Sequence, residues 1–168
     1  MGKRIRLIND PSDLVPLLRT FGSRTHKSVF DDLSNEWVTK AELEVNHSDV
    51  LSSIAILTKS GLIESRWRMP EPGETPDKEY HVSYSKAQAN FQCTIEDLSD
   101  LIMMAFKNDD STYEFIEAIE REVKNGNQSM TGLSRALDKN PMYIRGAAKR
   151  SPNLSVKGQR IEYVGAEE

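Results

Sequence analysis

The sequence predicts a mainly α-helical protein with small β-hairpins, organised as two modules joined by a helix. Three observations carry that expectation. Apolar residues recur at helical spacing along most of the chain. Alternation with a period of two occurs at two places only, each directly after a helical run. The same succession, helices and then a hairpin, occurs twice. With 168 residues, 38% hydrophobic and 29% charged, the chain suffices for one ordinary domain or two small ones. A net charge of −4 argues against a protein that coats nucleic acid through bulk charge. The single cysteine, Cys93, excludes an internal disulfide and a thiolate cluster. No run approaches the roughly 20 apolar residues of a membrane span, and the opening segment breaks off too early for a signal peptide. A cytoplasmic protein without a membrane segment is expected.

The first element starts at Asp10 or Ser12, either able to cap a helix, with Leu14, Leu17 and Leu18 spaced for one buried side, and Gly22 stops or bends it. The stretch after Ser23 carries Val29, Phe30 and Leu33 and closes at Asn35 as a second helix. Thr39 stands three residues before Glu42, the spacing of a capping box, so a short third helix follows with Leu43 inward. From the capping candidate Ser48, the residues Val50, Leu51, Ile54 and Leu57 form one stripe of a helix that ends at Gly61. The segment Leu62–Met69 then alternates as a strand. After the Pro- and Gly-rich interruption 70–77, Tyr80, Val82 and Tyr84 alternate as its antiparallel mate.

A linking helix capped by Thr94 or Ser85 follows, with Ile95, Leu98, Leu101, Ile102, Ala105 and Phe106 at helical spacing. This stripe is too apolar to stay exposed and must be covered by the modules or by a second subunit. Beyond a polar break at 108–112 the alphabet repeats. Phe115, Ile116, Ile119 and Val123 face inward on a helix closed by Gly126. Ser129 caps a helix with Leu133 and Leu137, and Asn140 with Pro141 opens a third that Pro152 ends. Two short strands around Lys157 and Gly158 finish the module, with Leu154, Val156, Ile161 and Val164 as core candidates. Three helices and then a hairpin is the order of a winged helix-turn-helix. The chain therefore reads as tandem winged helices over 10–84 and 112–164, joined by a helix within 85–111.

A winged helix binds duplex DNA by placing its third helix in the major groove while the wing rests on phosphates. Between Asn127 and Val164 seven basic residues (Arg135, Lys139, Arg145, Lys149, Arg150, Lys157, Arg160) face only two acids, Asp138 and Glu162. This local excess makes Arg135, Arg145, Lys149, Arg150, Lys157 and Arg160 candidate contacts to double-stranded DNA. The first module offers Ser52, Ser53 and Lys59 on its third helix and Arg66, Arg68 and Lys78 on its wing. Trp67, flanked by Arg66 and Arg68, could stack on a sugar or base, but a tryptophan in a strand is more often a core or inter-module packing residue, and packing is the preferred reading. His26, His47 and His81 are scattered without metal spacing, and no phosphate-binding glycine loop occurs. The sequence thus carries no catalytic, metal or cofactor expectation.

At Leu17–Leu43, continued by Ser52–Trp67, the first module resembles the ArsR-like winged-helix regulators common in archaea. The resemblance rests on the opening helix from Leu18 through His26 and on the exit into the wing from Leu57 through Ile63. It implies a sequence-specific DNA-binding repressor or activator, usually a dimer, with the helix from Ser48 to Lys59 as the reading helix. The clustered cysteines or histidines of the family's metal sensors are missing, so metal sensing is not implied. The competing reading is a tandem winged-helix scaffold for protein interactions, such as an accessory protein of the chromosome or the transcription machinery, that uses the Ile95 to Phe106 stripe.

Overall fold

The computed structural model describes residues 4–165, which form eight α-helices and three small sheets and divide into two compact units. Residues 4–8 and 19–90 make the first unit, residues 9–18 and 91–165 the second. Among the described residues no helix is long and apolar enough to cross a membrane.

In chain order come β1 (Ile5–Ile8), a 3-10 turn (Pro11–Asp13) and α1 (Leu14–Phe21), which begins among the second unit's residues and ends among the first unit's. The first unit continues with α2 (Arg24–Asn35), β2 (Val38–Thr39), α3 (Lys40–Glu44), α4 (Val50–Lys59), β3 (Ile63–Arg68), β4 (Asp77–Val82) and β5 (Lys86–Ala89). Local chemistry fixes most of these ends. The Ser23 hydroxyl accepts from the His26 N–H at the start of α2. Thr39 and Glu42 form the expected reciprocal capping box on α3, a device worth about 1 kcal/mol. Gly61, at φ +68°, closes α4: its N–H reaches the Thr58 carbonyl and the Leu62 N–H reaches the Leu57 carbonyl, a double C-cap that requires the left-handed backbone glycine adopts freely. β4 lies between β2 and β3 in an antiparallel sheet, with Val38 opposite Tyr80 and Trp67 opposite Lys78.

Three expectations for this unit change. Leu51 is 64% exposed and Ser53 takes its place inside, because Val50, Ser53, Ile54 and Leu57 occupy one helical face while Leu51 lies about 100° from Val50. The α4 N-cap is Asp49, in left-handed backbone at φ 53°, rather than Ser48. On β4 the buried residues are Glu79 and His81, so the strand faces the opposite way to the Tyr80, Val82, Tyr84 alternation. The parallel pair β1 and β5 carries no sequence signal: β5 is exposed throughout, and the pair is extended by backbone bonds from the Ser85 N–H to the Arg4 carbonyl and from the Asn90 N–H to the Ile8 carbonyl.

The second unit contains α5 (Ile95–Phe106), α6 (Asp110–Lys124), α7 (Met130–Leu137), α8 (Pro141–Ala148), β6 (Leu154–Lys157) and β7 (Arg160–Tyr163). Thr94, Asp109, Ser129 and Asn140 each accept a backbone N–H three residues on, so the polar stretch expected as a break instead caps α6 and makes its first turn. The core gathers Leu101, Met104, Ile119, Val123, Leu133, Ile144, Leu154 and Ile161, joined by Val15 from the 9–18 segment. α5 is therefore part of this unit's core rather than a separate link. Its stripe divides: Leu101, Met104 and Ala105 are buried, whereas Ile95, Ile102 and Phe106 are exposed. Val164 also faces solvent. Each unit runs helix, short strand, helix, helix, hairpin: α2 to β4 in the first, α6 to β7 in the second, where a single bridge between Ser129 and Arg160 replaces β2.

Candidate nucleic-acid interface

In the first unit, α4 presents Leu51, Ser52, Ala55, Thr58 and Lys59 to solvent. Its inner side is held by apolar packing and by two polar contacts. The Ser53 hydroxyl lies 2.7 Å from His26 Nδ1 on α2, and Ser60 shares a buried hydroxyl contact of 3.1 Å with Thr20. Burial lowers the His26 pKa, with Asp49 opposing and Arg19 adding to the shift, so the imidazole is neutral near pH 7. Ser53, expected as a contact, is thus an anchor of the helix, while Ser52 stays outside.

The hairpin β3–β4 is braced from one face. Glu79, buried on β4, accepts from Arg66 Nε and Arg68 Nε at 2.6 Å each, and Arg68 also forks onto Glu42 of α3 at 2.7 and 3.0 Å. Arg66 lies over the Trp37 ring at 3.9 Å, and Trp37 stacks on His81. The paired guanidinium of Arg68 and the Thr39 N–H hold the Glu42 carboxylate down at about 2, and Arg68 and Arg66 lower that of Glu79. Arg68 therefore ties the hairpin to α3, while Arg66 is held by Glu79 and Trp37, so neither projects as a free cation. The other face of the hairpin exposes Trp67 (64%), which corrects its reading as a packing residue, with Lys78 Nζ 5.4 Å from the ring centroid.

In the second unit the basic residues meet different fates. α8 buries Ile144, Gly146, Ala147 and Ala148. Arg145 pairs with Asp10 and donates to the Gly158 carbonyl, while Lys149 bonds Asp13 at 2.6 Å and Asp10 at 3.3 Å. These ion pairs, with the N–H and hydroxyl of Ser12, hold the Asp10 pKa well below the ordinary aspartate range against the opposing effect of burial. Arg150 caps the end of α5 through the Met104 and Lys107 carbonyls and reaches Asn108 Oδ1. The cluster expected as an outward basic surface is consequently neutralised at Arg145 and Lys149 and engaged structurally at Arg150. No local signal could reveal this, since Asp10 lies 135 residues from Arg145. Lys157 pairs with Glu162 at the exposed hairpin, Arg160 donates to Gln128 Oε1 at 2.6 Å, and Arg135 is exposed on α7. Among the described residues the first unit holds 11 basic and 11 acidic side chains and the second 10 and 13, so the basic excess along 127–164 belongs to a unit that is acidic as a whole.

In the first unit α4 lies next to the braced β3–β4 hairpin in the chain, and the described residues contain no convergent group of His, Cys, Asp and Glu. A family model described as ArsR transcriptional regulator matches residues 8–165, and the chain belongs to that family. ArsR regulators bind DNA and are typically non-enzymatic. No curated protein matches the chain.

Proposed function

We propose that the protein is a homodimeric, DNA-binding transcription regulator of tandem winged-helix architecture in which only the first unit reads duplex DNA. In this reading α4 enters the major groove and the β3–β4 hairpin is the wing, while the second unit keeps the winged-helix order but uses α8 for packing. The observation that carries it is the contrast between the two third helices. α4 turns Leu51, Ser52, Ala55, Thr58 and Lys59 outward, whereas Arg145 and Lys149 of α8 are spent on Asp10 and Asp13. Hydroxyls hydrogen-bond base edges, and Ala55 and Leu51 suit thymine methyl groups. With balanced charge in the first unit, affinity rests on few phosphate contacts and its salt slope is shallow.

The exposed side of α5 supports a dimer. Ile95, Ile102, Met103 and Phe106 fall within about a third of the helix circumference, opposite the buried Leu101 and Met104. A second copy of α5 would cover this stripe and bring two reading helices to two half-sites.

The test is duplex binding by the full chain, followed by fluorescence anisotropy at two salt concentrations. Replacing Ser52 and Thr58 by Ala should weaken binding and flatten discrimination among duplex sequences. Lys59→Ala should weaken all duplexes alike and reduce the salt slope by about one unit. Absence of binding to any duplex at low salt defeats the proposal. In sedimentation, Met103→Glu with Phe106→Glu should convert a dimer to a monomer.

A further inference from the structure

We propose that the seat of α4 on α2 is an acid-sensitive joint: protonation of His26 loosens the reading helix from the rest of the first unit and weakens its hold on duplex DNA. The consequence for DNA rests on the reading role given to α4, whereas the joint itself belongs to the first unit alone. Ser53, through which α4 meets the ring, is fully buried, and its hydroxyl lies 2.7 Å from His26 Nδ1. The His26 N–H is held by the Ser23 hydroxyl in the first turn of α2, so the imidazole hangs from a fixed backbone and reaches across to the fourth residue of α4. A neutral imidazole satisfies Ser53 in either tautomer, since a hydroxyl both donates and accepts. An imidazolium keeps the contact as a donor but gives up water to do so, and burial is the largest of the effects that lower the His26 pKa from the ordinary 6.5.

The charges around the ring leave that balance in place. Arg19 of α1 opposes a second cation, while Asp49 at the N-cap of α4 favours one and offsets burial only in part. The other ionisable groups on the packed elements are engaged elsewhere. On α2, Lys27 pairs with Asp31 and Asp32 with His47, and Arg24 is exposed. On β4, Glu79 accepts from Arg66 and Arg68, His81 contacts the Val82 carbonyl and Lys78 faces Trp67. Lys59 lies at the far end of α4. His47 supplies the contrast: it ties the turn between α3 and α4 to Asp32 at 2.6 Å, and an imidazole donates to a carboxylate whether neutral or protonated. Acid therefore loosens α4 at Ser53 while the turn before it stays attached. Because the folded ring has the lower pKa, the joint is complete above 6.5 and weakens as pH falls below it toward the folded value. Glu42, held at about 2, stays ionised there, which separates this effect from losses at lower pH.

The experiment is an NMR titration of the full chain from about pH 7.5 to about pH 5.5, following the His26 ring and the hydrogen exchange of the α4 amides. His26→Gln, which keeps a hydrogen-bonding side chain but does not titrate, is the reference, and the ring resonance it lacks is that of His26. If His26→Gln does not fold, Ser53→Ala replaces it: its α4 should exchange fast already at the upper pH and gain little from acid. The joint is supported by a His26 midpoint below 6.5 and by α4 exchange, corrected for its intrinsic rate, that accelerates with acid in the parent but not in His26→Gln. Over the same range the parent should lose roughly 2- to 10-fold in affinity for a labelled duplex relative to His26→Gln. A midpoint at or above 6.5, or α4 exchange as indifferent to pH in the parent as in the variant, overturns the proposal. Duplex affinity that tracks the variant's at every pH overturns it as well. Acid loosening of α4 in a chain that binds no duplex at any pH removes the DNA-reading role and leaves the joint standing.

Discussion

Arg145 and Lys149 provide the sharpest discrimination between a surface role and a structural one. Consider Arg145→Ala, alone and combined with Asp10→Ala. The two side chains are 16% and 23% exposed, and the Arg145 guanidinium also serves the Gly158 carbonyl of the β6–β7 turn. Removing one member of a fully buried ion pair costs about 3–5 kcal/mol. Partial solvent access, together with the Lys149 ammonium remaining 3.3 Å from Asp10, reduces the expected loss to about 2–3 kcal/mol for Arg145→Ala. The double variant should lose less than the two single losses added, by about 1–2 kcal/mol, because the charge each single change strands is gone. Urea unfolding followed by circular dichroism reads these values, fitted with separate transitions if the two units unfold apart. Duplex affinity of the folded fraction should not change. An Arg145→Ala chain with the parent's unfolding midpoint and a salt slope flatter by about one unit would refute the reasoning and restore α8 as a DNA contact.

Three further outcomes follow from the same geometry. Ser53→Ala should cost about 1 kcal/mol through the lost His26 contact, whereas Ser52→Ala should be neutral in stability and act only on duplex binding; urea titration and anisotropy separate the two. Replacing Glu71, Glu74 and Asp77 by Gln, Gln and Asn should strengthen binding to every duplex and steepen the salt dependence, since it removes negative charge from the β3–β4 connection and the start of β4; an unchanged affinity would place these residues away from the phosphates. On acidification, Glu42, with its carboxylate held at about 2 against an ordinary 4.5, and Asp10, lowered from 3.8, each lose their stabilising partners only when protonated. Their contributions are complete above the unfolded values and decline as pH falls below about 4.5 toward the folded ones. Thermal melts should therefore be flat in this respect above about pH 5 and fall progressively below it, and Glu42→Gln should blunt the fall.

The local chemistry of the chain was readable residue by residue. Thr39 with Glu42, Thr94 (offered alongside Ser85), Ser129 and Asn140 announced helix starts because a short side-chain oxygen satisfies N–H groups only a few positions away. Gly61 and Gly126 announced helix ends because those turns need positive φ. The ArsR resemblance, seen on the first module, holds for a match over residues 8–165. What failed were choices between two faces of an element already placed. Leu51 was chosen over Ser53, and Tyr80 over Glu79, because hydrophobicity decides such choices by default. Here a hydroxyl satisfied by His26 and a carboxylate satisfied by two arginines were buried instead.

The sequence by itself determined the number, type and order of the helices and hairpins, since caps, turn glycines and periodic apolar residues act over a few positions. Tertiary structure decided which charges remain available to a partner. Arg145 and Lys149 count as positive in any linear window, yet Asp10 and Asp13 cancel them from the other end of the chain. Coulomb attraction depends on distance through space, and the 135 residues separating Asp10 from Arg145 along the backbone become a hydrogen-bonded contact once the fold is complete.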